Sequence, residues 1–112
     1  MAATLKNAYI GQPGATDTTL YTASSSISSA RVVKCTATND TTTAVTITFH
    51  KVPSGDAVGD DVLILNAKSL ASKETYECPE VVGQVLDASD LISAIASSAA
   101  QVTVSLDVVE IT

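Results

Sequence analysis

Two cysteines, one histidine and a cluster of aspartates are the side chains in this 112-residue chain best equipped for chemistry. A thiol and an imidazole make a nucleophile and base only when they face one another. Cys35 lies in the stretch Arg31–Thr38, where Val33, Cys35 and Ala37 share one face and Lys34, Thr36 and Thr38 the other. His50 lies in Ala44–Lys51, on the face of Thr46 and Thr48, opposite Val45, Ile47 and Phe49. A period of two therefore puts Cys35 with core residues and His50 away from them. His50 is expected at the surface or in an interface rather than as a general base.

The loop Pro53–Asp61 gathers Asp56, Asp60 and Asp61. Hard cations take several oxygen ligands, but this spacing departs from the calcium-binding loop and no bidentate Glu closes it. A solvated or partner-facing loop is expected, with a weak Ca²⁺ site as the alternative. The chain has no glycine-rich phosphate loop, no His-Glu-x-x-His, no Gly-x-Ser-x-Gly and no Cys-x-x-Cys. No catalytic residue, cofactor or metal is expected, and an enzyme is the least favoured class. Asn39-Asp40-Thr41 matches a glycosylation sequon but reads as a turn, and Asp87 and Asp90 read as organisers of the turn around Ala88-Ser89. The start, Met1-Ala2-Ala3-Thr4-Leu5-Lys6, lacks a basic region followed by an apolar one, so no secretory leader is expected. Free buried thiols are then the default for Cys35 and Cys78. A disulfide stays open, since each lies in a candidate strand.

The elements that must position these groups are strands. Val, Ile and Thr number 13, 7 and 15, and such β-branched side chains suit a pleated, half-buried surface. Eight strands are predicted between turn residues: Thr4–Ile10, Thr18–Ala23, Arg31–Thr38, Ala44–Lys51, Val62–Leu65, Glu74–Val82, Leu91–Ala96 and Val102–Ile111. Pro79 demotes the sixth to an edge or bulged strand. Gly83–Asp90 reads as a turn, and the run Ser24–Ser29 as a loop. A short helix over Leu91–Ala100 competes with the seventh strand, because its alanines are good helix formers and Asp90 is a suitable cap. In the last strand the apolar positions change phase after Val108. A bulge near Asp107–Val109 is expected, or else the last three residues leave the domain to pack on a partner.

Spacing and length predict an all-β fold. It is a single-domain antiparallel β-sandwich of about eight strands over residues 1–112, jelly-roll-like, with residues 1–10 a candidate arm toward a neighbouring chain. Three Tyr, one Phe and no Trp leave few platforms for stacking sugars or single-stranded bases. A formal charge of −6 opposes phosphate binding, so no nucleic-acid partner is expected. No apolar run reaches the ~18 residues of a membrane helix, and no membrane partner is expected. Much of the apolar content is Ala, so the core is thin and self-association would help to stabilise it. Neutral, hydroxyl-rich strand faces such as that of Thr46 and Thr48 suit a wet protein–protein contact.

Several segments carry a family resemblance. Thr19-Leu20-Tyr21-Thr22, Arg31-Val32-Val33-Lys34, Asn39, Val45-Thr46-Ile47-Thr48, Glu74-Thr75-Tyr76, Val102-Thr103-Val104 and Val109-Glu110-Ile111-Thr112 follow one another in an order that resembles small virion structural proteins of tailed bacteriophages. The resemblance spans roughly residues 5–112, with Ala23-Ser24-Ser25-Ser26 where that group carries a Val-Pro-Ala-Gly type of loop. It implies a capsid cement or decoration protein. Such a protein is a small β-sandwich on the capsid surface of the virion, made in the host cytoplasm, dimeric, and bound to the major capsid protein. The expected contact residues are Leu5, Ala8, Tyr9 and Ile10 of the first strand, Thr46 and Thr48 of the fourth, and Val109 and Ile111 of the last. A tail or fibre-attachment component and a β-sandwich adhesin are the alternatives.

Overall fold

The strictest alternation in the chain, Val45-Thr46-Ile47-Thr48-Phe49, forms a strand whose odd residues are buried. β-Branched side chains at that spacing fill one face of the pleat and leave hydroxyls on the other. The computed structural model describes residues 2–112 and builds nine strands among them on this rule. They are β1 (Ala3–Gly11), β2 (Thr18–Thr22), β3 (Ser29–Asn39), β4 (Val45–Val52), β5 (Leu63–Leu70), β6 (Thr75–Tyr76), β7 (Val85–Asp87), β8 (Leu91–Ala96) and β9 (Val102–Ile111). The connection from β4 to β5 ends in a 3₁₀ turn, Asp60–Val62.

All pairings are antiparallel. One sheet runs β1-β9-β3, with both β6 and β7 on the far side of β3; the other runs β2-β8-β4-β5. Thr75 and Tyr76 pair with Thr38 and Ala37, whereas Val85–Asp87 pair with Arg31–Ser29. With β6 and β7 taken as one interrupted strand, this is the eight-stranded jelly-roll order. The inner faces of the two sheets form one core. Phe49, Ile47 and Ile92 come from one sheet, and Val32, Leu86, Val104 and Leu106 from the other, all fully buried.

Two buried polar residues close the ends of the sandwich. Asn39 Nδ2 donates to the carbonyls of Thr43, Leu70 and Ala71, while its Oδ1 accepts from Thr41 N and Thr41 Oγ1. The sequon residue is thus a fully enclosed turn organiser, as the turn reading requires. At the other end Asp90 accepts from Ser54 N and Asp87 N, joining the turn after β4 to the turn before β8.

Several expectations are corrected. The predicted strand Glu74–Val82 pairs only at Thr75-Tyr76. Pro79 has no N–H to give a ladder, and the chain turns through Cys78, whose carbonyl accepts from Val81 N and Val82 N. The predicted turn Gly83–Asp90 instead contains β7, because Gly83 N and Val32 N exchange bonds with Val32 O and Gln84 O and return the chain to β3. β5 runs on from Leu65 to Leu70 past register shifts opposite Phe49, with Ala67 at φ 46. Leu91–Ala96 is the expected strand, and the competing helix does not form. It lies between β2 and β4, and its Ile92, Ala94 and Ala96 alternate into the core.

β9 holds no bulge of its own. Val102, Val104, Leu106 and Val108 stay inward, and Val109 and Ile111 turn outward. The extra residues sit in its neighbours, Ala8 in β1 and Val33 in β3, both opposite Asp107. The last residues remain in the sheet, Ile111 pairing with Ala3 and Ser29. Residues 3–10 of the candidate arm form most of β1, an edge strand of the chain's own sheet. Met1 lies outside the described residues.

Candidate interaction surface

The expected contact residues divide among three environments. Leu5 and Val109 are direct cross-strand partners, Val109 also faces Arg31, and Arg31 faces Val85. One row, Leu5-Val109-Arg31-Val85, therefore crosses the whole outer face of the first sheet. Ile111 lies in the adjoining row, between Ala3 and Ser29, and Ile10 lies further along, opposite Ser105. Leu5 is 79% exposed and Ile10 64%. Ala8 and Tyr9 do not join them. Tyr9 pairs with inward-facing Leu106, and both pack against the core. The bulge at Ala8 is the cause, since one extra residue turns the following side chain to the opposite face.

Thr46 and Thr48 lie on the other sheet, far from this row in the topology. Both are half-buried. The Thr48 hydroxyl accepts from Ala67 N at 2.9 Å, which satisfies the backbone where β5 bulges. Threonine at this position supports the strand next to it.

The bulge residue Val33, together with Val82 from the turn after β6, adds apolar surface that the sequence pattern did not mark. Val33 is a ridge between two shallow grooves. One, of about 280 Å³, is lined by Lys34, Cys35, Glu77, Pro79 and Val82 as well. The other, of about 310 Å³, is lined by Leu5, Lys6, Asn7, Asp107 and Val108. Polar groups on this face are mostly paired with one another: Asn7 Nδ2 donates to Asp107 Oδ1 at 2.7 Å, and Lys34 lies 4.0 Å from Glu77. The face thus offers separated Leu, Ile and Val side chains framed by polar groups, the pattern of a protein-contact patch.

The titratable groups around the rim are structural partners. Tyr21 OH donates to Glu110 Oε2 at 2.5 Å, joining the two sheets, and Lys6 lies 3.7 Å from the same carboxylate. Burial, then the bond to Glu110 and its charge, raises the Tyr21 pKa well above the ordinary phenol value. Tyr76 OH donates to Glu80 Oε1 at 2.6 Å, and Lys68 stands 5.0 Å from the centre of its ring. The bond to Glu80 is the main cause that pushes the Tyr76 phenol up to about 12, and the same bond holds the Glu80 carboxyl below its usual value.

His50 corrects the expectation of a surface histidine. It keeps to the face of Thr46 and Thr48 but is only 5% exposed, flanked across the sheet by Leu63 at the start of β5 and Ser93 of β8. Its cross-strand partner is Ser93, and both His50 Nδ1 and Ser93 Oγ are buried without a hydrogen-bond partner. Cys35 is buried in the core on the other sheet, away from His50. Among the described residues no group of three or more His, Cys, Asp or Glu could hold a metal ion, the Asp56, Asp60 and Asp61 loop included. Both thiols are free and buried, and Cys35 borders Cys78, which with burial raises its pKa far above the ordinary thiol value.

No family model matches the sequence, and no curated protein matches it. Among solved structures, the chain is similar to one in the structure of the infectious bursal disease virus Gx strain, at a TM-score of 0.49 and 13% identity. The alignment covers 98% of this chain and 33% of that one, so this chain spans about a third of the viral chain's length.

Proposed function

We propose that this chain is a non-enzymatic capsid cement or decoration protein of a tailed bacteriophage, bound to the outside of the major capsid protein shell in the virion. The observation that carries the proposal is the outward-facing row Leu5-Val109-Arg31-Val85, half-buried at Val109 and exposed elsewhere, with Val33 and Val82 beside it, on the outer face of a five-stranded sheet. The resemblance of the Leu-Tyr-Thr, Val-rich and Val-Thr-Val segments to small phage virion proteins supports the same reading. The mechanism is mass action. A protein that binds only the assembled, expanded shell stabilises that state by its binding free energy. Repetition over many equivalent sites lets a small contact suffice, especially for a homodimer that bridges two of them.

The test mixes the purified chain with bare expanded shells and measures occupancy by co-sedimentation. Because β1 is an integral edge strand, point substitutions are more informative than deletion of residues 1–10. Leu5→Asp and Val33→Asp remove apolar contacts at exposed positions and are expected to lower occupancy at least tenfold while the melting temperature holds. Thr46→Asp, on the other sheet, is expected to leave occupancy unchanged. Full occupancy by the Leu5→Asp, Val33→Asp double variant refutes this surface assignment. A copy number of three, six or twelve per particle, instead of hundreds, refutes the shell location and favours a tail or fibre-attachment component.

A further inference from the structure

The two cysteines come from segments far apart in sequence, yet the fold brings them together in one core cluster, Cys35 from β3 and Cys78 from the turn just after β6. Ala37 pairs with Tyr76 and Thr38 with Thr75. Two residues further along the same antiparallel direction are Cys35 and Cys78, both essentially inaccessible and in the same core cluster. The two side chains touch, the Cys78 thiol lying within hydrogen-bond reach of Cys35, so their sulfurs are near enough to join. An exposed ion pair, Lys34 to Glu77 at 4.0 Å, lies between the same two segments.

Two further features make the pair more than two packed thiols. Cys78 has φ 45, a left-handed conformation that glycine adopts without cost and that a residue with a Cβ rarely takes. The position therefore carries its side chain against the backbone preference. Cys35 also lines the groove of about 280 Å³ formed with Val33, Lys34, Glu77, Pro79 and Val82, so a small molecule in that groove reaches one of the two thiols after a local opening of the turn. That turn belongs to the least continuous edge of the sheet, between the two-residue β6 and the three-residue β7.

We propose that Cys35 and Cys78 form a reversible intramolecular disulfide, made by exchange with a low-molecular-weight disulfide that enters this groove, and that it clamps the turn after β6 to β3. The Cys35 thiolate attacks one sulfur of the small disulfide and releases one small thiolate. The Cys78 thiolate then displaces the second from the mixed disulfide. The protein loses two protons and two electrons, and the small disulfide is reduced to two thiols. The neighbouring Cys78 and burial hold Cys35 as a thiol beforehand, so the exchange is slow at neutral pH and faster in alkaline buffer. In a reducing compartment the pair stays open, and in an oxidising one it closes.

The experiment incubates the folded, reduced chain with oxidised glutathione near pH 8.5 and follows mass, thiol titre after denaturation, and melting temperature. The expected product is a monomer lighter by two hydrogens, with no titratable thiol and one peptide pair linked through Cys35 and Cys78. Closing residues 35–78 is expected to raise the melting temperature by about 10 °C, reversed by dithiothreitol. Cys35→Ala and Cys78→Ser each abolish both the mass change and the thermal gain. Thiols that stay free unless the chain is unfolded, a lasting glutathione adduct on one cysteine, or a disulfide between two chains each overturn the proposal. A thermal gain that survives in Cys35→Ala also overturns it, since that variant has no pair to join.

Discussion

Replacing Asn39 with Ala is expected to be among the most damaging single substitutions in the chain. The side chain makes five bonds at 2.7–3.1 Å, three as donor and two as acceptor. Its two amide hydrogens serve three carbonyls, so at least one is shared. The Leu70 carbonyl is the buried one; those of Thr43 and Ala71 and the donors of Thr41 are only partly buried. A buried orphan costs ~1–3 kcal/mol and a wet one far less, so a loss of ~3 kcal/mol is expected for Asn39→Ala. Against a total stability of ~5–15 kcal/mol that is a large fraction, and it lowers the melting temperature by ~12 °C or more. Asn39→Asp is expected to be worse at neutral pH, because a second carboxylate oxygen would face three carbonyl oxygens. Burial raises the pKa of such a carboxyl, so the folded variant keeps its stability below the ordinary carboxylate range and loses it as pH rises through the raised value. Urea unfolding with an unchanged slope measures both effects. A loss below ~1 kcal/mol for Asn39→Ala, or a pH-independent Asn39→Asp, would falsify the claim that these five bonds hold the β3–β4 turn to the end of β5.

Three other outcomes follow from named groups. Tyr21 and Tyr76 both titrate higher when folded, so their stabilisation is complete below the ordinary phenol value of ~10 and is lost as pH rises toward 12. Melting curves in alkaline buffer should therefore fall steeply above that value, less so in Tyr21→Phe, and an unchanged slope in that variant contradicts the Tyr21–Glu110 link. Ser93→Ala removes a buried hydroxyl without a partner, so it is expected to be neutral or stabilising by up to ~1 kcal/mol; a loss above that in urea unfolding reveals a bond at Ser93 Oγ. Ala67→Gly relieves a φ of 46 at an exposed site and should raise stability by ~0.5 kcal/mol, and a lower urea midpoint would contradict strain at the β5 bulge.

Where one face of a strand is buried along its length, local pattern marks it well. The ranges Leu91–Ala96 and Val102–Ile111 coincide with β8 and β9 because each has neighbours on both sides and an alternating inner face. Where a strand lies at an edge or bulges, the pattern weakens. Glu74–Val82 fails as a strand because Pro79 and the left-handed Cys78 bend it after two paired residues, and no apolar alternation signals where the chain rejoins β3 as β7. The surface shows the same contrast. The apolar contact candidates are named by segment, the first strand and the last, and of these the structure turns Leu5, Ile10, Val109 and Ile111 outward but Ala8 and Tyr9 toward the core. Val33 and Val82 are not among them, since Val33 looks inward until an extra residue in β3 turns it out, and Val82 belongs to a turn.

By itself the sequence determined the class of the molecule. Thirty-five Val, Ile and Thr residues in short alternating runs can bury one face each, and a two-sheet sandwich or a closed barrel gives such half-apolar strands a shared interior. Tertiary structure alone decided which distant residues meet. Leu5 reaches Val109, Val109 reaches Arg31 and Arg31 reaches Val85 through register between strands remote in the chain. His50 is buried between Leu63 and Ser93 of neighbouring strands, and Cys35 meets Cys78 just beyond the short pairing of β3 with β6. Alternation is a local property of the backbone. Register, bulges and the cover of an outer face depend on where other segments come to rest, and a periodic pattern does not carry that information.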